Sequence, residues 1–405
     1  MANVEFDNTG EAFEADRYGT YAMLRREGAV HRRVMKSGWV IHDVTRYQDV
    51  VGVLRDRRFR TVKFAPELVE QLLQQPESPL HTLARIVDCV LLVKDDEDHR
   101  RLRSLVNRAF TPRVVQDLQP RIAALVDDML GEPLATGGLD IIEQLAAPLP
   151  VIVIAELLGL PTSDYPLLKR WSDRTATFID GTIREQGLPE AAEAATEMGA
   201  YLEGIFAARR KEPRDDLISG LVHATVDGER LTENEVLATT WLVLAAGHET
   251  TTNLIGNGML ALMQHRDQWE RLCADPTLIG STVEELLRFD APVQATSRIP
   301  VEDVEVAGFP IAAGEETLVY LASANRDSDV FDDPERLDIA RADNRHVSFG
   351  FGAHFCVGAA LARLEAQEVI AALARRAPNM VWDGRTPQWR KGLILRGLER
   401  LDVAL

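Results

Sequence analysis

The stretch FGFGAHFCVG, residues 349–358, sets Cys356 among three glycines, three phenylalanines and His354, in a chain whose other cysteines, Cys89 and Cys273, lie far away in sequence. A thiol in such a place can be apolar filling, a nucleophile or a metal ligand. A nucleophile needs a base, and His354, two residues away in the same loop, is poorly spaced to align with it. Zinc would need companion ligands at close spacing, which the sequence lacks. A core cysteine has no use for glycines. A single axial thiolate on a haem iron uses every part of the stretch. Glycines let the backbone approach a flat macrocycle, and amide N–H groups with the positive end of a following helix hold the thiolate charge. The amphipathic run VGAALARLEAQEVIAALARR supplies that helix.

Other residues could serve such a group. Its two propionates need cations, and HRRLRSLVNRAFTPR, residues 99–113, puts His99 and Arg103 four apart on one helix face. In isolation this run reads as a solvated basic face. Arg298 and His354 are further donors of the charge-assisted kind. In LVLAAGHETTTN, Gly247 and three threonines interrupt a strong helix, and the Thr250 hydroxyl lies four residues after the Ala246 carbonyl that it can bond. Two readings stay open: close packing through small side chains, or a local opening that presents Glu249 and Thr250 to a ligand. Glu285 and Arg288, three apart, form either an ordinary surface pair worth ~0.3 kcal/mol or, with Arg336, a buried network bracing the cysteine loop.

The elements that must position these groups are mostly helical. Thr232 and Glu235 have capping-box spacing, and apolar and small residues continue to about His265, which predicts a helix of about 33 residues or ~50 Å. Alternating strand-like segments are short and lie near the two ends, as in VHRRVM, WVIHDV and VEVAGFPIAAGEETLVYL. No repeat and no low-complexity linker occurs, so residues 1–405 read as one mainly α domain with small peripheral β-sheets. A net charge of −18 argues against nucleic acid and anionic membrane surfaces as partners. PLPVIVIAELLGLP is too short to span a bilayer, and the N-terminus lacks a secretory pattern, so a cytoplasmic protein with reduced thiols is expected.

Taken in order, AGHETT (246–251), EELLR (284–288), DPERL (333–337) and FGFGAHFCVG resemble the cytochrome P450 family of haem-thiolate monooxygenases in its soluble bacterial form. The cysteine motif matches at Phe349, Gly352, Cys356 and Gly358; Leu337 departs from the aromatic residue many relatives carry. The resemblance implies the P450 fold, with a long central helix over the haem and the cysteine loop beneath it. It implies haem b held by Cys356, with Ala246, Phe349, Gly350 and Gly358 against the ring. His99, Arg103, Arg298 and His354 would hold the propionates, and His346 is a further haem-region candidate. Glu249 and Thr250 would deliver protons for dioxygen cleavage. Glu285, Arg288 and Arg336 would form the bracing network. Leu242, Ala245, Ala246, Gln294 and Thr296 would face a small apolar organic substrate beneath a lid at residues 81–93.

The chain carries no flavin, nicotinamide or iron–sulfur fingerprint. Electrons are therefore expected from a ferredoxin or flavodoxin with its reductase, docking on Arg100, Arg101, Arg108 and Arg113. A monomer tailoring polyketides, macrolides, terpenes or fatty acyl chains is expected. The alternatives are a peroxide-driven peroxygenase, a desaturating or coupling P450, a haem sensor and a cysteine hydrolase.

Overall fold

The computed structural model describes residues 7–405 apart from 9, 36, 64, 177–186 and 227. Its organising element is the helix Glu233–Gln264, 32 residues long. The capping box opens it as its spacing predicts: Thr232 Oγ1 accepts from the Glu235 amide at 3.3 Å, and the Glu235 carboxylate accepts from the Thr232 amide at 2.8 Å. Two orphan amides of the first turn are thereby satisfied. The helix runs without a break through residues 246–252, so no local opening occurs there.

Small residues on this helix let neighbours approach. A Cβ at Gly247 would fall 2.7 Å from Ile154 Cδ1, and one at Gly258 would fall 2.9 Å from Leu286 Cδ1. The helices Pro148–Leu158 and Ile279–Phe289 that carry these side chains pack on it, as do His81–Cys89 and Ala359–Arg376. The large apolar core gathers around these contacts, with Trp171, Trp241 and Trp269 all buried in it. The close-packing reading of AAGHETTT is therefore correct for Gly247.

The sheets lie at the periphery. Val30–Val34, Val40–Val44, Glu316–Val319, Thr296–Pro300 and Phe59–Thr61 form one five-stranded sheet in that spatial order. All its pairings are antiparallel except one: Glu316–Val319 runs parallel to Val40–Val44, with Glu316 opposite Ile41. The fully buried Asp43 anchors this sheet, accepting from Arg33 at 2.5 and 2.8 Å and from the Tyr320 hydroxyl at 2.9 Å. Val381–Trp382, Asp402–Ala404 and Gly138–Asp140 form a second, three-stranded sheet. Among the described residues no helix is long and apolar enough to cross a membrane.

Candidate active site

A cavity of about 1450 Å³ opens between the long helix, the cysteine loop and the five-stranded sheet. On the cysteine side, the Gly350 amide donates to the Val347 carbonyl at 2.8 Å and the Cys356 amide to the Phe349 carbonyl at 2.9 Å, which folds the loop into a tight hairpin. Gly350 and Gly352 sit at φ of 73° and 74°, in the left-handed region where a side chain is strained. At Gly352 a Cβ would also lie 2.9 Å from the Leu54 carbonyl oxygen. Cys356 lines the cavity immediately before the helix Ala359–Arg376. The Cys356 thiol is open to the cavity, yet the protein packed around it desolvates it and pushes its pKa up, while the Gly358 amide, Arg103, Arg363 and the Ala359 amide all favour the thiolate.

The helix Asp96–Ala109 brings His99 and Arg103 to the same cavity. His99 is buried, its Nε2 has no hydrogen-bond partner among the described residues, and its ring packs on that of His354 at 4.2 Å. Burial, reinforced by the charges of His354 and Arg103, lowers its pKa to about 4, so the ring is neutral at pH 7. Arg298 is buried and, among the described residues, donates to the neighbouring Ser297 carbonyl at 2.8 Å and Thr296 Oγ1 at 3.3 Å. Burial lowers the pKa of both Arg103 and Arg298. Arg103 and Arg298 are desolvated without a carboxylate bonded to either among the described residues, Asp95 acting on Arg298 only through its charge, so an anionic ligand would stabilise both. A flat group carrying two carboxylates and a metal would fit these residues, with Arg103 and Arg298 meeting its carboxylates and Cys356 available to its metal. No three His, Cys, Asp or Glu side chains converge among the described residues to hold a metal by themselves.

On the opposite wall, Leu242, Ala246 and Thr250 line the cavity as one stripe, each four residues after the last. The Thr250 hydroxyl donates to the Ala246 carbonyl at 2.7 Å, the bond its spacing predicts. Thr296 lines the cavity too, as do Phe349, Gly350, His354 and Gly358. Glu249 stands off this wall, 19% exposed, with Arg390 of the C-terminal loop 3.6 Å from its carboxylate.

Several expectations fail on geometry. Ala245 is rotated by one residue, about 100°, out of the stripe and packs in the core. Gln294 is fully buried and points the other way, accepting from Tyr21 at 3.1 Å and donating to the Ala291 carbonyl at 2.6 Å. His346 is tied to Glu284 at 3.0 Å and does not line the cavity. Of the segment 81–93 only residues 91–93 reach the cavity, because Leu83, Ile86 and Val87 of the helix His81–Cys89 are core residues.

The bracing network is real with a different third member. Glu285 and Arg288 are both fully buried and joined by two bonds of 2.8 Å. Arg341 closes the network at 3.2 and 3.1 Å from the two Glu285 oxygens. The Arg336 side chain is 60% exposed and pairs with Asp338, while its carbonyl accepts from Arg288 and Arg341. Within the basic run, Arg100 and Arg113 are exposed. Arg101 is bound to the capping residue Glu235, with Glu229 at 3.5 Å, and Arg108 donates to the Thr225 carbonyl at 2.8 Å. The sequence reading missed Val243, Leu254, Glu365 and residues 391–395 of the cavity wall.

Comparison with known proteins agrees with this architecture. A profile of the family "Cytochrome P450" matches residues 140–376. The polyketide biosynthesis cytochrome P450 PksS of Bacillus subtilis (strain 168) is 38% identical over 418 aligned residues, covering all of both chains. The solved structure of PksS superposes with a TM-score of 0.90 over 99% of this chain and 100% of that one. The cytochrome P450 monooxygenase PikC of Streptomyces venezuelae is 40% identical over 97% of this chain and 92% of its own. The structure of P450BioI in complex with hexadec-9Z-enoic acid ligated acyl carrier protein matches with a TM-score of 0.89 at 34% identity, over 98% of this chain and 99% of that one. A thiol loop beneath a long helix, a family profile over more than half of the sequence and relatives matched from end to end identify the chain as a member of the cytochrome P450 family of monooxygenases.

Proposed function

We propose that the chain binds haem b through Cys356 and inserts one oxygen atom of dioxygen into an apolar C–H bond of a polyketide-like or fatty acyl substrate. One observation carries the reading: a single cavity joins the Cys356 thiol, the Thr250 hydroxyl, and His99 Nε2, Arg103 and Arg298, which have no carboxylate partner among the described residues. When bound, the haem supplies dioxygen activation and the oxidant for the C–H bond.

The chain's own residues do the rest. Arg103, Arg298, His99 and His354 take the two propionates, and the Gly358 amide steadies the sulfur. Thr250 turns its hydroxyl from the Ala246 carbonyl to pass a proton into the cavity. Glu249, partly exposed beside Arg390, takes that proton from solvent. Leu242 and Ala246 keep the reacting face apolar and dry. The acid and alcohol pair favours a route that uses dioxygen over a peroxide-driven one.

An elongated substrate is supported by the size of the cavity and by the relatives, one named for polyketide biosynthesis and another held with an acyl chain on a carrier protein. Electrons come from a ferredoxin or flavodoxin and its reductase, steered by the exposed Arg100 and Arg113. The protein works as a monomeric single domain in the cytoplasm. The test is the reduced, carbon monoxide-bound spectrum of the purified protein. The far-shifted Soret band of a haem-thiolate is expected and should vanish in Cys356→Ser with the fold retained; its absence from the wild type overturns the reading. Spin-state titration with myristic acid and with macrolactones then ranks the substrate classes.

A further inference from the structure

The five-stranded sheet has a second face. Ile41, Glu316 and Leu318 line the catalytic cavity, and side chains alternate along a strand, so His42 and Thr317 point the other way. On that face a groove of about 440 Å³ lies between the sheet and the hairpin made by Val304–Val306 and Phe309–Ile311. Its walls are apolar at Val30, Phe309 and Pro310 and basic at Arg32 and His42, which stand opposite each other in the sheet. At the hairpin tip Ala307 holds a φ of 50°, where a Cβ is strained and Asn or Gly is usual, and its small methyl leaves the groove open.

Two buried atoms show that the chain leaves this side incomplete. His42 is 1% exposed and its Nε2 is bonded to Glu315 at 2.7 Å, but Nδ1 has no hydrogen-bond partner among the described residues. Thr317, opposite His42 on the next strand and fully buried, has an Oγ1 that also lacks one. Buried polar atoms nearly always have partners, so polar matter beyond the chain belongs here. The charges are uneven too. Burial opposes ionisation of Glu315, but the His42 bond, the Ala312 amide at 3.2 Å and the charges of His42 and Arg32 hold its pKa below the ordinary value. That carboxylate is ionised and already served. Arg32 is exposed at the rim, and no hydrogen bond or ion pair engages it among the described residues. The Phe309 ring meets that of His42 edge-on at 5.6 Å and offers an aromatic wall beside this cation.

We propose that this groove is a second ligand site, for a small aromatic acid with one carboxylate, and that its occupant acts on the catalytic cavity through the two strands they share. The ring packs on Phe309 and Pro310, and the carboxylate takes a charge-assisted bond from Arg32. A second anionic group would meet Glu315, which selects against phosphates and diacids. His42 and Glu315 on the groove side are chain neighbours of Ile41 and Glu316 on the cavity side. A ligand that holds the hairpin on the sheet steadies those two wall residues, and each site then tightens binding at the other by the same factor. The binding half stands without the monooxygenase reading, and the coupling half rests on haem in the cavity.

The test uses the haem-loaded protein and a fluorinated indoleacetate, followed by fluorine magnetic resonance. Saturable binding is expected, and it should persist when ketoconazole fills the catalytic cavity. Arg32→Gln, a change at an exposed position, should weaken it about tenfold or more with the urea midpoint unchanged. Octanoate, with the same carboxylate and no ring, should fail to displace the probe. Loss of binding in the presence of ketoconazole puts the probe in the catalytic cavity and overturns the proposal, as does equal binding by R32Q or displacement by octanoate. In a Soret titration, ketoconazole should bind several-fold more tightly with the probe present, and the gain should vanish in R32Q; an unchanged or weaker affinity overturns the coupling. The fluorine measurement reads the groove whether or not the haem-thiolate band is found, so the site and the proposed function fail separately.

Discussion

Replacing Arg341 by Ala separates the observed bracing network from the one that residue spacing suggests. Arg341 gives two charge-assisted bonds to Glu285 and further bonds to the carbonyls of Asp332 at 2.7 Å, Asp333 at 3.3 Å and Arg336 at 3.1 Å. In the variant Glu285 still keeps Arg288, the Asp338 amide at 2.9 Å and Asn344 at 3.2 Å, so its charge is not orphaned. The loss is therefore that of charged hydrogen bonds, about 1.5–3 kcal/mol. Arg288→Ala is more severe, because it leaves Glu285 without its inner cation and strips the carbonyls of Asn325 and Pro334, while that of Arg336 keeps Arg341. Breaking a buried pair in this way costs about 3–5 kcal/mol, a large share of the ~5–15 kcal/mol that holds a domain together. Arg336→Ala removes only an exposed side chain and should cost under about 1 kcal/mol. Urea unfolding of the haem-loaded proteins, followed by far-ultraviolet circular dichroism, measures the three against the wild type. The expected order of damage is Arg288, Arg341, Arg336; a loss at Arg336 equal to that at Arg341 would refute the assignment.

Three other outcomes are expected. Gly352→Ala combines a positive φ with a clash against the Leu54 carbonyl, so a loss of about 1–3 kcal/mol is expected in the same unfolding assay, together with a lower haem content on purification. Two groups give stability separate acid limbs. Burial lowers the pKa of His248 from 6.5 to about 4, as it does that of His99, so the folded state loses stability as pH falls through that window, and His248→Asn should make that limb of the urea midpoint shallower without removing it. Burial would raise the pKa of Glu284, but His346 and Arg363 hold it from 4.5 down to about 2; its contribution, complete above pH 4.5, is lost below that, and Glu284→Gln should flatten only this lower limb. Arg100→Glu with Arg113→Glu should slow reduction by an acidic ferredoxin at low salt and converge on wild type as salt rises. Arg101 is unsuited to that test, because its partner Glu235 caps the long helix.

What the sequence discloses follows from the range of the interaction that encodes it. The capping box, the Thr250–Ala246 bond and the shared face of His99 and Arg103 are local, and all three take the form that their spacing predicts. The same helical geometry could have excluded Ala245, since Leu242, Ala246 and Thr250 repeat every four residues and Ala245 does not. Glu365 left a readable trace as a lone acid in the stripe of Leu361 and Val369. Arg341 left none. DPERL draws attention to Arg336, but the backbone beyond it turns so that residue 336 offers its carbonyl and residue 341 its guanidinium. Gln294 was equally opaque, because its partners Tyr18 and Tyr21 lie more than 270 positions earlier.

The single parallel pairing in the five-stranded sheet carries a consequence for the order of events in the cell. Ile41 and Glu316 sit opposite each other and both line the cavity, whose wall is completed only by residues 391–395. Contacts so remote in sequence form slowly, since a long loop must close before any bond rewards it. The pocket therefore has no finished wall until nearly the whole chain has left the ribosome. Loading of the prosthetic group is then a step of maturation that follows synthesis, and cells starved of that group should accumulate a full-length apoprotein with its sheet edge and long helix exposed to proteases.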